Sequence, residues 1–180
     1  MRSFGFSIVS GFIIAAFLSS YGFAQAPTEE AALPAGVVPP PLNIVSKQEK
    51  DELAAEGKIS NRTKLALEFM KNRLKLSENA ADKEEFQESL DQLGRFQALV
   101  RDTARYLHDN EENKGSFKNF KRFEQSLRGF IPRLELLRRA LPFKYGYHVR
   151  AMMDFLRDVR SNALEPFFGD TVIPEGGSRR

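Results

Sequence analysis

Residues Phe86–Leu107, FQESLDQLGRFQALVRDTARYL, decide the fold class. Within them Phe86, Leu90, Leu93, Gln97, Val100, Ala104 and Leu107 follow one another at alternating intervals of four and three. An α-helix turns once every 3.6 residues, so this spacing draws one stripe down one side of a helix and matches a heptad seam over three repeats. Phe96, Leu99 and Tyr106 flank the stripe and widen it. A strand would alternate with period two, and no such alternation is found here or elsewhere in the chain. So regular a seam serves an intermolecular coil as well as a bundle, which leaves a homo-oligomer open.

Upstream, Thr63, Leu67, Met70 and Leu74 form a second stripe, widened by Ala66, Phe69 and Leu76, and predict a helix from about Ser60 to Ser77. A polar break at Glu78–Ala81 follows, and Asp82 with Glu85 three residues on marks the next helix start. A break this short implies antiparallel neighbours. Further upstream, Ser46-Lys47-Gln48-Glu49 is a capping-box pattern that opens a short helix, closed by Gly57. Downstream of the seam, Asp109–Gly115 reads as a polar loop and Ser116 as the cap of a long apolar-striped run. Pro132 inside that run predicts a bend near Gly129–Pro132, and Leu141-Pro142 ends it. Tyr145, Val149, Met152, Leu156, Val159 and Ala163 mark a last helix stopped by Pro166, leaving residues 166–180 as a tail. The expected architecture is all-α: an antiparallel four-helix bundle over residues 46–165 with a short extra N-terminal helix.

The first 24 residues read as a secretory signal peptide. Arg2 is followed by an apolar run from Ile8 to Leu18, too short for the roughly 20 residues that span a bilayer, and then by small residues. Ala24-Gln25-Ala26 would place Pro27 directly after the cut, where its fixed φ and missing N–H suit an extended peptidase substrate poorly, so cleavage after Ala24 is expected. An uncleaved anchor is the alternative. Removing 24 of the 180 residues takes away only Arg2 and leaves 156 residues with a net charge of +2 instead of +3. Five of the nine prolines lie between Pro27 and Pro41, so residues 25–45 read as a proline-rich, disordered spacer.

Composition narrows the chemistry. There is no cysteine, which excludes disulfides, thiolate catalysis, iron–sulfur clusters, covalent haem and a lipoprotein anchor together. Bundle di-iron sites need Glu-x-x-His pairs, yet of the two histidines His148 has Tyr145 three positions before it, and His108 stands at a helix end where it suits a cap. No G-x-S-x-G and no glycine-rich phosphate loop occurs, and paired carboxylates such as Glu84-Glu85 and Glu111-Glu112 fall on polar faces. The expectation is therefore a non-enzyme with no cofactor and no metal, and a balanced net charge argues against nucleic acid as a partner.

Charge is nonetheless unevenly spread. From Lys114 to Lys144 nine basic residues face only Glu124 and Glu135, whereas Glu78–Asp91 holds six carboxylates against Lys83. Lys114, Lys121, Arg128 and Arg139 fall within about 40° of one another at 100° per residue. This stripe is either one half of a packed acidic–basic helix pair or a surface for an anionic partner, such as an envelope protein, a polymer or a lipid headgroup. Arg138 projects near the apolar stripe and is a candidate for a buried ion pair with another helix. Phe167 and Phe168, beyond the expected helix stop, either dock over the bundle end or anchor a partner.

The stretch Asn61–Asp102, NRTKLALEFMKNRLKLSENAADKEEFQESLDQLGRFQALVRD, resembles long helical hairpins of bacterial exported proteins of unknown function. That resemblance covers about a quarter of the chain. It implies a helical fold and a periplasmic or extracellular location, and it carries over no site residue. The functional expectation is a binding or structural module of the bacterial cell envelope. The alternative is a carrier of a small ligand or metal in the bundle core.

Overall fold

The computed structural model describes residues 33–113 and 115–168, the last six by their backbone alone. The expected signal peptide, Lys114 and residues 169–180 lie outside the described residues. Leu33–Arg180 is a compact unit by itself. Its elements are α1 (Lys47–Ala55), α2 (Ile59–Asp82), α3 (Phe86–His108), α4 (Ser116–Ala140) and α5 (Phe143–Phe168). No strand occurs among the described residues.

Each helix forms for a reason visible in the chain. Ser46 accepts the Glu49 amide through Oγ while the Glu49 carboxylate takes the Ser46 N–H at 3.1 Å, so the expected capping box opens α1. The helix ends at a C-cap on Glu56, one residue before Gly57. On α2, Thr63, Ala66, Leu67, Met70 and Leu74 are buried as a stripe. This helix does not stop at Glu78 as expected but continues to Asp82. Arg133 of α4 takes the Glu78 carboxylate through two hydrogen bonds, at 2.8 and 2.6 Å, and Ala80 and Ala81 are buried. The turn into α3 instead rests on Glu84 at φ 62°, and Glu85, without a side-chain capping bond, is the N-cap. In α4 the N-cap is Gly115 at φ 88°, not Ser116, whose hydroxyl donates to the Asn110 carbonyl at 3.1 Å. The helix is continuous through Pro132.

Helix α5 also passes its expected stop and runs to Phe168, two residues beyond Pro166. Proline's φ is already helical, so near a helix end it forfeits one backbone bond without forcing the chain out. Phe167 and Phe168 therefore belong to the last turn of α5.

The helices form an antiparallel bundle of two hairpins, α2–α3 and α4–α5. Helix α2 packs on α4 and α3 on α5, with α3 and α4 meeting across the middle. Phe96 of α3 and Phe130 of α4 fill that middle edge to face, centroids 5.3 Å apart. Ser77 and Ser89, both fully buried, join α2 to α3 by a 3.0 Å hydroxyl–hydroxyl bond and a 2.8 Å bond from Ser77 to the Ser89 carbonyl. Helix α3 is more enclosed than a seam predicts. Besides Leu90, Leu93, Val100 and Leu107, it buries Gly94, Phe96, Ala98, Leu99 and Thr103.

The extra enclosure comes from the segment expected to be a free spacer. Residues 33–45 are irregular, as their four prolines dictate, but they run as a strap against α3 and α5. A turn with Gly36 at φ 83° leads in, closed by a 3.1 Å bond from the Val37 N–H to the Pro34 carbonyl. Val38 then donates to the Lys144 carbonyl at 3.3 Å, and His148 Nε2 donates to the Val38 carbonyl at 2.7 Å. Pro39-Pro40-Pro41 have no N–H to leave unsatisfied on a helix surface. At Gly94 the strap backbone comes so near that a Cβ there would stand 2.5 Å from the Leu42 carbonyl oxygen and 2.9 Å from Pro41 Cβ. Val45 then enters the core and Ser46 caps α1.

The chain Leu33–Arg180 made alone should therefore unfold in one cooperative helical transition. Within it, Gly94→Val should raise hydrogen exchange at the Val38 amide roughly tenfold or more, the loss of about 1.4 kcal/mol of strap attachment. An unchanged Val38 amide would refute the close approach at Gly94.

Candidate functional site: the face of the strap, α1 and α3

Two residues of the basic stripe expected on α4 pair with carboxylates of their own helix. Arg128 pairs with Glu124 at 3.0 Å and Arg139 with Glu135 at 3.0 Å. Arg138, expected to reach another helix, instead pairs with Glu135 three residues away at 2.8 Å. Lys121 is exposed and has no carboxylate within ion-pair distance among the described residues. Interhelical pairing falls elsewhere: Arg62 with Asp102, Arg73 with Glu49, Arg133 with Glu78 and Arg160 with Glu124. Exposed Leu136 and Phe143 lie near the α4–α5 turn, but the arginines beside them are the two held by Glu135.

The histidines serve the fold. His148 is buried against the strap, and His108 closes α3, exposed, with Nδ1 3.1 Å from Glu111.

Two buried carboxylates tie the elements together. Glu49 receives Arg73 Nε at 2.9 Å, and Arg73 reaches on to Gln92 of α3 at 2.9 Å, so α1 is locked over the α2–α3 hairpin. Burial pushes the Glu49 carboxyl up, but hydrogen bonds from Arg73 and Ser46 outweigh it and hold its pKa below the usual value. For Glu124, burial again raises the pKa, and bonds from Arg160 and Arg128 more than reverse it. Glu135, half-buried, is held at about 2 by bonds from Arg138 and Arg139.

Among the described residues, cations without a carboxylate partner are spread over the bundle, Lys118, Lys121 and Arg122 of α4 among them, but five of them gather around two exposed aliphatic side chains on another face. The strap crosses α3 over Gly94 and Ala98. Val45 is buried, whereas Leu42 and Ile44 are 75% and 57% exposed. A groove on one side of this ridge is lined by Lys47, Asp91 and Arg95, and one on the other by Lys50, Arg101, Asp102 and Arg105. Asp102 is already taken by Arg62 at 2.8 Å. Arg101 lies over the Phe155 ring of α5, 5.5 Å from its centroid. Among the described residues no carboxylate pairs with Lys47, Lys50, Arg95, Arg101 or Arg105. Two protruding aliphatic side chains thus stand between five cations free to meet an external anion.

Sequence reasoning missed this face because it depends on where the strap lies. The one local signal was a glycine in the middle of the most regular helix, a position that costs about 1 kcal/mol relative to alanine unless something must approach closely.

The carboxylate pKa values give a signed pH dependence. As pH falls through 4.5 the unfolded chain takes up protons that these three carboxylates refuse while folded. Their contribution is thus full above that pH and is lost as pH falls toward 2. Thermal midpoints should drop over that window. Glu124→Gln should destabilise the protein at pH 7 by about 1–3 kcal/mol and make the acid decline shallower. A midpoint level down to pH 2.5 in the unmutated protein would contradict these pairings.

Comparison of the chain with protein-family models, with curated proteins and with solved structures finds no match in any of the three.

Proposed function

We propose that this protein is an exported, non-enzymatic binding module of the bacterial cell envelope, and that the face formed by the strap, α1 and α3 engages an anionic partner. Export is supported by the N-terminal order of Arg2, the apolar run Ile8–Leu18 and the small residues up to Ala24. No described helix is long and apolar enough to cross a membrane. The observation that carries the binding reading is the set of five unpaired cations around Leu42 and Ile44. Most arginines elsewhere on the bundle are held by carboxylates of the protein itself, which weakens their field at a distance, although Glu124 and Glu135 each serve two arginines. Those on α3 are not. The carrier alternative has no comparable observation in its favour, since side chains such as Phe96, Phe123 and Phe130 occupy the bundle centre.

Retention on an immobilised polyanion checks this assignment. The triple variant Arg95→Gln, Arg101→Gln, Arg105→Gln of Leu33–Arg180 should elute at distinctly lower salt than the unmutated chain. Lys121→Gln with Arg128→Gln and Arg139→Gln should shift elution less. The opposite order would move the contact to the α4 stripe.

A further inference from the structure

We infer that the anionic partner of this face is the surface of a phospholipid bilayer, with Leu42 and Ile44 entering the acyl boundary while the surrounding cations hold headgroup phosphates. The inference rests on the binding role proposed for this face and names what it binds.

Three features favour a bilayer over an acidic polymer or an acidic protein. First, the apolar groups protrude. Leu42 and Ile44 stand exposed on a ridge with a groove on each side, and charged side chains supply three of the seven residues lining one groove and four of the eight lining the other. A protein partner bringing its own apolar anchor would need a concave apolar pocket, whereas a bilayer accepts a convex apolar point. A sugar-phosphate or polycarboxylate polymer would meet the cations but gain nothing from leucine and isoleucine. Second, the cations are placed on both sides of the ridge. At 100° per residue, Arg95 and Arg101 lie about 60° to either side of Ala98, the residue beneath the strap, and Arg105 lies close to the same line. Lys47 and Lys50 extend the ring onto α1. An apolar point ringed by basic side chains is what anionic headgroups over hydrocarbon complement.

Third, the strap leaves its side chains free to insert without unmaking backbone bonds. The three prolines ahead of Leu42 carry no N–H, and the latch bonds of Val38 to Lys144 and His148 lie away from the ridge.

Vesicle co-sedimentation of Leu33–Arg180 tests this, with its helical melt as the control for folding. The protein should sediment with vesicles of phosphatidylglycerol and phosphatidylethanolamine and stay in solution with phosphatidylcholine. Leu42→Ser with Ile44→Ser changes two exposed residues, keeps the melt and should abolish most of the binding. Neutralising Arg95, Arg101 or Arg105 to Gln should weaken partitioning roughly fivefold each. Binding to soluble polyglutamate without binding to the anionic vesicles would overturn the bilayer inference and leave the anionic-partner reading intact. Failure to bind either would overturn both. Vesicle binding undiminished by the Leu42 and Ile44 changes, or equal on phosphatidylcholine, would also overturn the inference.

Discussion

Residue 94 has no side chain, and on that absence the strap, α1 and the exposed ridge all depend. The Leu42 carbonyl and the Pro41 ring occupy the space any Cβ at 94 would need. With the strap seated there, Val45 reaches the core, Ser46 stands where it can cap α1, and Leu53 is buried against the hairpin. Arg62 then closes the corner, donating to the Leu53 carbonyl at 2.9 Å and to Asp102 at 2.8 Å while lying over the Tyr106 ring. A glycine inside a helix costs about 1 kcal/mol. Burying Val45 and Leu53 returns about 1.5–3 kcal/mol each, so the exchange favours the strap.

Charge follows the same logic of proximity. The count of basic residues is highest on α4, yet four of its five arginines meet Glu124, Glu135 and Glu78. Part of the expected complementarity between acidic and basic segments is realised, through the Arg133–Glu78 pair between α4 and α2. Helix α3 has fewer cations, but Arg95, Arg101 and Arg105 line grooves whose carboxylates are Asp91 and the already paired Asp102. Partnering as well as number decides where a surface stays positive.

The helices were legible in the chain because their determinants are local: the Ser46–Glu49 capping box, the four–three spacing of α3 and α5, and the Leu141-Pro142 stop. Errors fell where a distant residue overrides a local signal. Glu78 looked like a helix break, but Arg133, 55 positions away, takes it into α2. Arg138 looked like an interhelical partner, but Glu135 lies one turn away and takes it first. Pro39-Pro40-Pro41 told correctly that no helix forms there and nothing about where the segment lies, because that depends on a contact between Pro41 and Gly94. The candidate face was invisible for the same reason, since Leu42 and Ile44 acquire an outward direction only once Val45 is anchored.

The most direct measurement is a solution NMR spectrum of Leu33–Arg180 that resolves the Gly94 α-protons. With the strap seated as described, those protons give strong nuclear Overhauser effects to the side chain of Pro41. If the Gly94 α-protons show no contact with the strap while α3 is folded, the strap is not seated on the bundle and the account of the face fails.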